Sequence, residues 1–169
     1  IAFQLDQGVK ALVVCGTTGE PSTMLEQEKE DAIAFVVRQT AGRVPVIAGT
    51  GSNSTAHTIE ASLKAQELGA DGLLLVTPYY NKTTQKGLVA HYTAVADAVR
   101  LPIILYNVPS RTGLNVKPAT LAALANHPRI IAMKEASGDI IQVLEMVRLC
   151  QGKIDFYSGA DEVTLPSSP

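Results

Sequence analysis

Lys134 ends the apolar run Ile130-Ile131-Ala132-Met133. An amine pulled toward the interior is desolvated, and desolvation lowers its pKa toward neutrality. The unprotonated amine is a nucleophile that attacks carbonyls to give a Schiff base. A snorkelling lysine, or one ion-paired with the adjacent Glu135, fits the same local pattern. Thr17-Thr18 stands between Gly16 and Gly19. Glycine lets backbone approach a ligand, and the amides and hydroxyls can cradle a carboxylate; a glycine-rich turn with a threonine cap is the plainer alternative. Tyr80 and Tyr106 each follow an apolar run. A phenol there relays protons or simply rims a core. Arg111, in Pro-Ser-Arg-Thr-Gly, can clamp a carboxylate bidentately or stand solvated in its loop.

Other chemistry is poorly supported. Gly49-Thr50-Gly51 starts like a dinucleotide loop, but Ser54 occupies the third glycine position and no GK[ST] occurs. His57, His91 and His127 are isolated, without metal-ligand spacing, and are expected on helix surfaces or loops. Cys15 is expected to be a buried small apolar residue. Cys15 and Cys150 form neither a CxxC nor a disulfide framework.

These residues must be held by a train of strands and helices. Six apolar runs recur about 28 residues apart: 11–15, 44–49, 72–78, 101–109, 129–134 and 153–159. Most are apolar on consecutive positions, as in strands buried on both faces of a parallel sheet. Helical periodicity lies between them. Leu88, Tyr92, Val95 and Val99 share one face, as do Ile33, Val36, Val37 and Thr40. Ile140, Leu144 and Val147 predict a buried face on a later helix. Glu26, Glu28 and Glu30 suit a helix start, Ser54 or Thr55 an N-cap, Gly69 a helix end and Pro118 a first turn. Nearly every strand exits into a polar cluster, the last at Ser158-Gly159-Ala160-Asp161. Ligands of parallel α/β folds sit at such strand ends. A closed ring would converge all six clusters, whereas an open sheet would use one or two at its switch point. Six strands, counted alone, favour the open doubly wound sheet over a (β/α)₈ barrel.

The chain has 169 residues, 46% hydrophobic and 18% charged, with a net charge of −2. That supplies a large core in one domain spanning residues 1–169 and excludes a disordered chain. Without basic excess a nucleic-acid partner is not expected. No run approaches the roughly 20 apolar residues of a membrane span. The opening IAFQLDQG is polar every few residues, unlike a secretory leader, and two cysteines without a framework make the cytoplasm the expected setting.

Taken together, GTTGE at 16–20, TPYYNK at 77–82, YNVPSRTG at 106–113 and KEASGD at 134–139 resemble the dihydrodipicolinate synthase/N-acetylneuraminate lyase family, in order and spacing, across essentially the whole chain. The resemblance implies an α/β fold, a (β/α)₈ TIM barrel of which this chain holds about six of eight strands, two to seven. On that expectation residues 1–169 alone are inactive and poorly soluble. Thr17-Thr18 and Arg111 point to the lysine-pathway (diaminopimelate) branch, a lyase that condenses pyruvate with L-aspartate 4-semialdehyde. Related 2-keto-3-deoxy sugar acid aldolases and N-acetylneuraminate lyase are the near alternatives, and a non-catalytic open α/β ligand-binding domain is the distant one.

By resemblance, Lys134 forms the imine with pyruvate, and Thr18 with neighbouring amides holds its carboxylate. Gly159 also borders the substrate. Tyr106, Thr17 and Tyr80 form a proton relay, Tyr80 coming from a second subunit of a dimer within a tetramer. Arg111 binds the aldehyde substrate's carboxylate. No metal or organic cofactor is implied. The family's lysine-feedback region corresponds to Pro21, Ser22, Asn53, His57 and Tyr79. The acidic residue of sensitive members is absent at His57, as are their histidines near Glu26 and Lys29, so feedback is expected to be weak or missing.

Overall fold

The computed structural model describes residues 1–159. The tail VTLPSSP and the exit residues Ala160 and Asp161 lie outside the described residues. Six strands form one sheet in the order β1-β2-β3-β4-β5-β6, every neighbouring pair parallel. They are β1 (Leu12–Val14), β2 (Val46–Gly49), β3 (Gly72–Val76), β4 (Ile103–Asn107), β5 (Ile130–Glu135) and β6 (Asp155–Ser158). Each falls within one of the six apolar runs, apart from the single residue Glu135. Among the described residues, β1 and β6 pair on one side only.

The helices are α1 (Ala2–Asp6), α2 (Glu26–Thr40), α3 (Thr55–Glu67), α4 (Gln85–Ala98), α5 (Pro109–Thr112), α6 (Pro118–Leu124) and α7 (Ile140–Cys150). Local chemistry starts several of them. Ser54 Oγ accepts from His57 N at 3.3 Å, Thr84 Oγ1 from Gly87 N at 3.1 Å, and Asp139 Oδ1 from Gln142 N at 3.0 Å. Such caps satisfy amides that lack a partner inside the helix. Pro118 opens α6 as its first residue. Gly69 follows α3 at φ +89°, a conformation that suits glycine.

All the long helices pack on one side of the sheet. The main core joins Ile33, Ala65, Leu88, Tyr92, Val95, Leu121 and Met146 of the helices to Val46, Leu73, Leu75, Ile103, Leu105 and Met133 of the strands. Side chains alternate along a strand, so the next residues face away. There a smaller cluster joins Leu74, Tyr106 and Val108 to Ile47, Val76, Ile104 and Ala136, with no helix residue among them. A doubly wound sheet has helices on both faces and a reversal in strand order. Strictly sequential order with helices on one face is instead the wall of a (β/α)₈ barrel, here incomplete with six strands, and the open-sheet preference from counting is overturned.

Three expectations are corrected. Helix α7 buries Val143, Met146 and Cys150, while Leu144 is 60% exposed and Ile140 and Val147 are only partly covered. Both stripes have helical spacing, and contact with α6 selects the first. His91 is buried, not on the helix surface, because it bridges to Thr55 Oγ1 through Nδ1 at 2.8 Å. Strand β4 includes Tyr106, expected to follow its apolar run, and β5 runs one residue past Lys134 to Glu135.

Candidate active site

Register brings the first two candidates together. Tyr106 on β4 is the Cα partner of Lys134 on β5, and Lys134 in turn partners Tyr157 on β6. Paired residues of adjacent parallel strands share a face, so all three stand on the helix-free side. Lys134 Nζ lies 4.5 Å from the centre of the Tyr106 ring. The ring attracts only the protonated amine. Burial favours the neutral amine, and it dominates: the Lys134 pKa is lowered from the ordinary lysine value by desolvation. Glu135 is not its ion-pair partner. Alternation sends the Glu135 carboxylate to the opposite face, where it meets Asn107. Gly159 N donates to Glu135 O at 2.7 Å, and a Cβ on Gly159 would stand 3.2 Å from Lys134 Cε. The glycine leaves the lysine its space.

Thr17 and Thr18 form a single 3₁₀ turn, Thr17–Gly19, closed by Gly19 N donating to Gly16 O at 2.8 Å. The turn's own bonds begin at Gly19, which leaves the amides of Thr17 and Thr18 outside them. A cavity of about 480 Å³ opens beside this turn. Thr17, Tyr106 and Arg111 line it together, with Tyr79, Pro21, Ser22, Glu26, Lys29 and His57. Arg111 belongs to α5, a short helix that sequence reading took for loop, and it is exposed. Glu26 holds Lys29 at 2.7 Å and stands 3.6 Å from His57. Lys134, Thr18, Tyr80 and Gly159 are not among the lining residues, and neither is Asn53.

Tyr80 stands apart. It is 89% exposed and adopts φ +65°, and Lys82 two residues later has φ +52°. This conformation is uncommon for non-glycine residues, and Cys15, Glu20, Ala41 and Gln151 share it in this chain. The loop is tied to its neighbour by Asn81 Nδ2 donating to Asn53 O at 3.2 Å. Among the described residues no group of three His, Cys, Asp or Glu is placed to hold a metal, and no helix is long and apolar enough to cross a membrane.

A half-buried lysine with a depressed pKa, in register with a phenol at a barrel strand's carboxyl end, is the arrangement a Schiff-base enzyme needs. The model of the dihydrodipicolinate synthetase family matches residues 1–169. The chain belongs to the dihydrodipicolinate synthetase family. The 4-hydroxy-tetrahydrodipicolinate synthase of Caldicellulosiruptor bescii is 59% identical over 166 residues, 98% of this chain and 56% of the relative. That of Geobacter metallireducens is 58% identical over 166 residues, 98% of this chain and 57% of the relative. A crystal structure of the chloride-inhibited dihydrodipicolinate synthase from Acinetobacter baumannii, complexed with pyruvate, superposes with a TM-score of 0.96 at 46% identity, covering 98% of this chain and 57% of that one. The chain thus spans a little over half the length of these family members.

Two features beside the candidate site escaped sequence reading. Tyr157 neighbours Lys134 in register; the strand spacing held part of that signal, since both lie near the ends of successive apolar runs. The outward pair Asn107 and Glu135 also escaped notice, although both sit inside motifs, at positions that alternation turns away from Tyr106 and Lys134.

Proposed function

We propose that the full-length protein is a lyase of the class I aldolase type that condenses pyruvate with L-aspartate 4-semialdehyde to 4-hydroxy-tetrahydrodipicolinate in lysine (diaminopimelate) biosynthesis. The observation that carries this reading is the half-buried Lys134 amine set against the Tyr106 ring. The neutral amine attacks C2 of pyruvate, and loss of water gives the iminium. That cation is the electron sink: a proton leaves C3 and the enamine forms. The enamine carbon then attacks the aldehyde carbon. The aldehyde oxygen takes a proton from the relay of Tyr106, Thr17 and Tyr80. The substrate's own amine displaces Lys134 by transimination, closing the ring and freeing the enzyme.

Thr18 and neighbouring amides hold the pyruvate carboxylate, with Gly159 against the lysine. Arg111, exposed at the rim of the cavity that Thr17 and Tyr106 also line, receives the carboxylate of the second substrate. Tyr80 acts in the site of a second copy within a dimer or tetramer. Its exposure supports that role. The pyruvate complex of the Acinetobacter relative supports pyruvate as donor. The imine makes a metal or organic cofactor unnecessary. Residues 1–169 are one partial barrel domain of a cytoplasmic enzyme with neither nucleic-acid nor membrane partner. The test is an acceptor panel on a full-length polypeptide containing this chain, with pyruvate as donor. Turnover with aspartate 4-semialdehyde supports the reading. Preference for N-acetylmannosamine or glyceraldehyde would move the protein to the neuraminate lyase or sugar-acid aldolase branch.

A further inference from the structure

Strands β4 and β5 change register between Ile103 and Ile104: Ile103 partners Ile130, but Ile104 partners Ala132. The bulged segment has to be brought back into phase, because a slip of one residue turns every side chain to the other face. The apolar pattern does little to set the phase. Ile104 and Ala132 lie on one face and Leu105 and Met133 on the other, so both faces of both strands are apolar. The first cross-strand pair after the bulge that is joined by side-chain hydrogen bonds is Asn107 with Glu135, one residue beyond Tyr106 and Lys134.

This pair is buried and tightly specified. Asn107 is 0% exposed and Glu135 6%. Asn107 Nδ2 donates to Glu135 Oε2 at 3.0 Å and Oε1 at 3.2 Å, and to Asn115 Oδ1 at 2.9 Å. Asn107 Oδ1 accepts from Val116 N at 3.0 Å. Glu135 Oε1 also accepts from Ser137 N at 2.6 Å. Among the described residues the carboxylate has no ion-pair partner. Burying such a group costs stability unless hydrogen bonds replace its water, and Asn107 Nδ2 and Ser137 N supply them here. The main chain adds to it: Ala136 N donates to Asn107 O at 2.9 Å, and Glu135 O accepts from Gly159 N at 2.7 Å. Glu135 therefore links β4, the turn after β5 and the glycine that borders Lys134.

We propose that Glu135 is a positioning residue for Lys134: its carboxylate, clamped to Asn107 on the helix side of the sheet, holds β4 and β5 in the phase that sets the Lys134 amine against the Tyr106 ring on the opposite side. The proposal rests on Lys134 being the imine-forming residue. With the clamp broken, the amine leaves its half-buried seat, regains water and returns toward an ordinary lysine pKa.

The experiment uses full-length protein and measures the rate of irreversible labelling by pyruvate with borohydride across pH, for the native protein and three variants. Glu135→Gln keeps one acceptor oxygen but sets its amide NH2 against either Asn107 Nδ2 or Ser137 N. Its labelling rate falls about 10- to 100-fold, the scale of a misplaced reacting group, and the rise of rate with pH moves to higher pH. Glu135→Asp keeps the charge but draws it back by one methylene; it shifts the profile in the same direction and carries the test if Glu135→Gln does not fold. Asn115→Ala removes an outer partner of the network and leaves the clamp, so it lowers Tm without moving the profile. Folded Glu135→Gln and Glu135→Asp with the native profile overturn the proposal. So does an equal shift in Asn115→Ala, which would mean general loosening. A native protein that is never labelled overturns the imine reading itself, and the positioning role with it.

Discussion

Replacing Gly159 by alanine adds one methyl group where three atoms already stand. Its Cβ would lie 2.8 Å from Ala136 Cβ, 3.2 Å from Lys134 Cε and 3.3 Å from Glu135 O. Carbon atoms in good contact are about 3.5–4.0 Å apart, so the Ala136 contact must open by about 0.7 Å or more. Neither side can yield freely. Gly159 N is bonded to Glu135 O at 2.7 Å, and Ala136 N to Asn107 O at 2.9 Å. The lysine chain is the softer neighbour and swings away from the Tyr106 ring. Overpacking of this kind costs about 1–3 kcal/mol, read by urea denaturation of the full-length protein. Pyruvate labelling slows in parallel, because the amine is displaced. Gly152→Ala is the control: Gly152 has φ +74° and nothing within 4 Å of an added Cβ. It costs about 1 kcal/mol of backbone strain and leaves labelling untouched. A Gly159→Ala protein as stable as the native one, labelled at the native rate, would refute the packing argument.

Three further outcomes are expected. Arg111→Ala raises the KM for aspartate 4-semialdehyde about 10-fold, the lower end for a lost charged hydrogen bond at an exposed site, and leaves the KM for pyruvate unchanged in steady-state assays. Tyr80→Phe lowers kcat about 10²-fold with little change in either KM, and mixing its subunits with Tyr106→Phe subunits restores activity in some mixed dimers; no recovery despite proven exchange places Tyr80 in its own chain's site, or in none. Lys134→Met is more stable than the native protein at pH 7. The folded lysine pKa lies below the unfolded value of about 10.4, so the unfolded chain binds more protons between the two and native stability rises with pH across that window. The advantage of Lys134→Met therefore shrinks as pH approaches 10, and denaturation curves at pH 7 and pH 10 read the difference.

The strands were legible because burial on both faces leaves continuous apolar runs, and the structure places β3 within 72–78 and β4 within 101–109. The face of α4 was legible too, since Leu88, Tyr92 and Val95 are its only strong stripe. On α7 two apolar stripes compete, and Ile141 at 81% exposure shows that an apolar residue need not mark the core. Helix α5 has four residues, too few for a period to show. Lys134, Tyr106, Thr17 and Arg111 were proposed from residue type and strand-end position, but not the register that makes Tyr106 the neighbour of Lys134. Pairing between strands is long-range, and no local pattern encodes it. The same limit hid the network from Asn107 through Asn115 to Gln142, whose members meet at 2.7–3.1 Å across 35 residues of chain. Tyr80 was singled out by its position after an apolar run, and its action in a second subunit came from the motif alone. Within one chain it meets neither Tyr106 nor Thr17 at the cavity.

The most direct measurement is peptide mapping after pyruvate and borohydride treatment of the full-length protein. Lys134 carries the depressed pKa and the phenol neighbour, whereas Lys82 and Lys86 are exposed. A neutral amine is required for attack, so one permanent adduct is expected, on the peptide containing Lys134, and Lys134→Ala abolishes it. An adduct on Lys82, Lys86 or Lys153, or none at all, would contradict the assignment of Lys134 as the imine-forming residue.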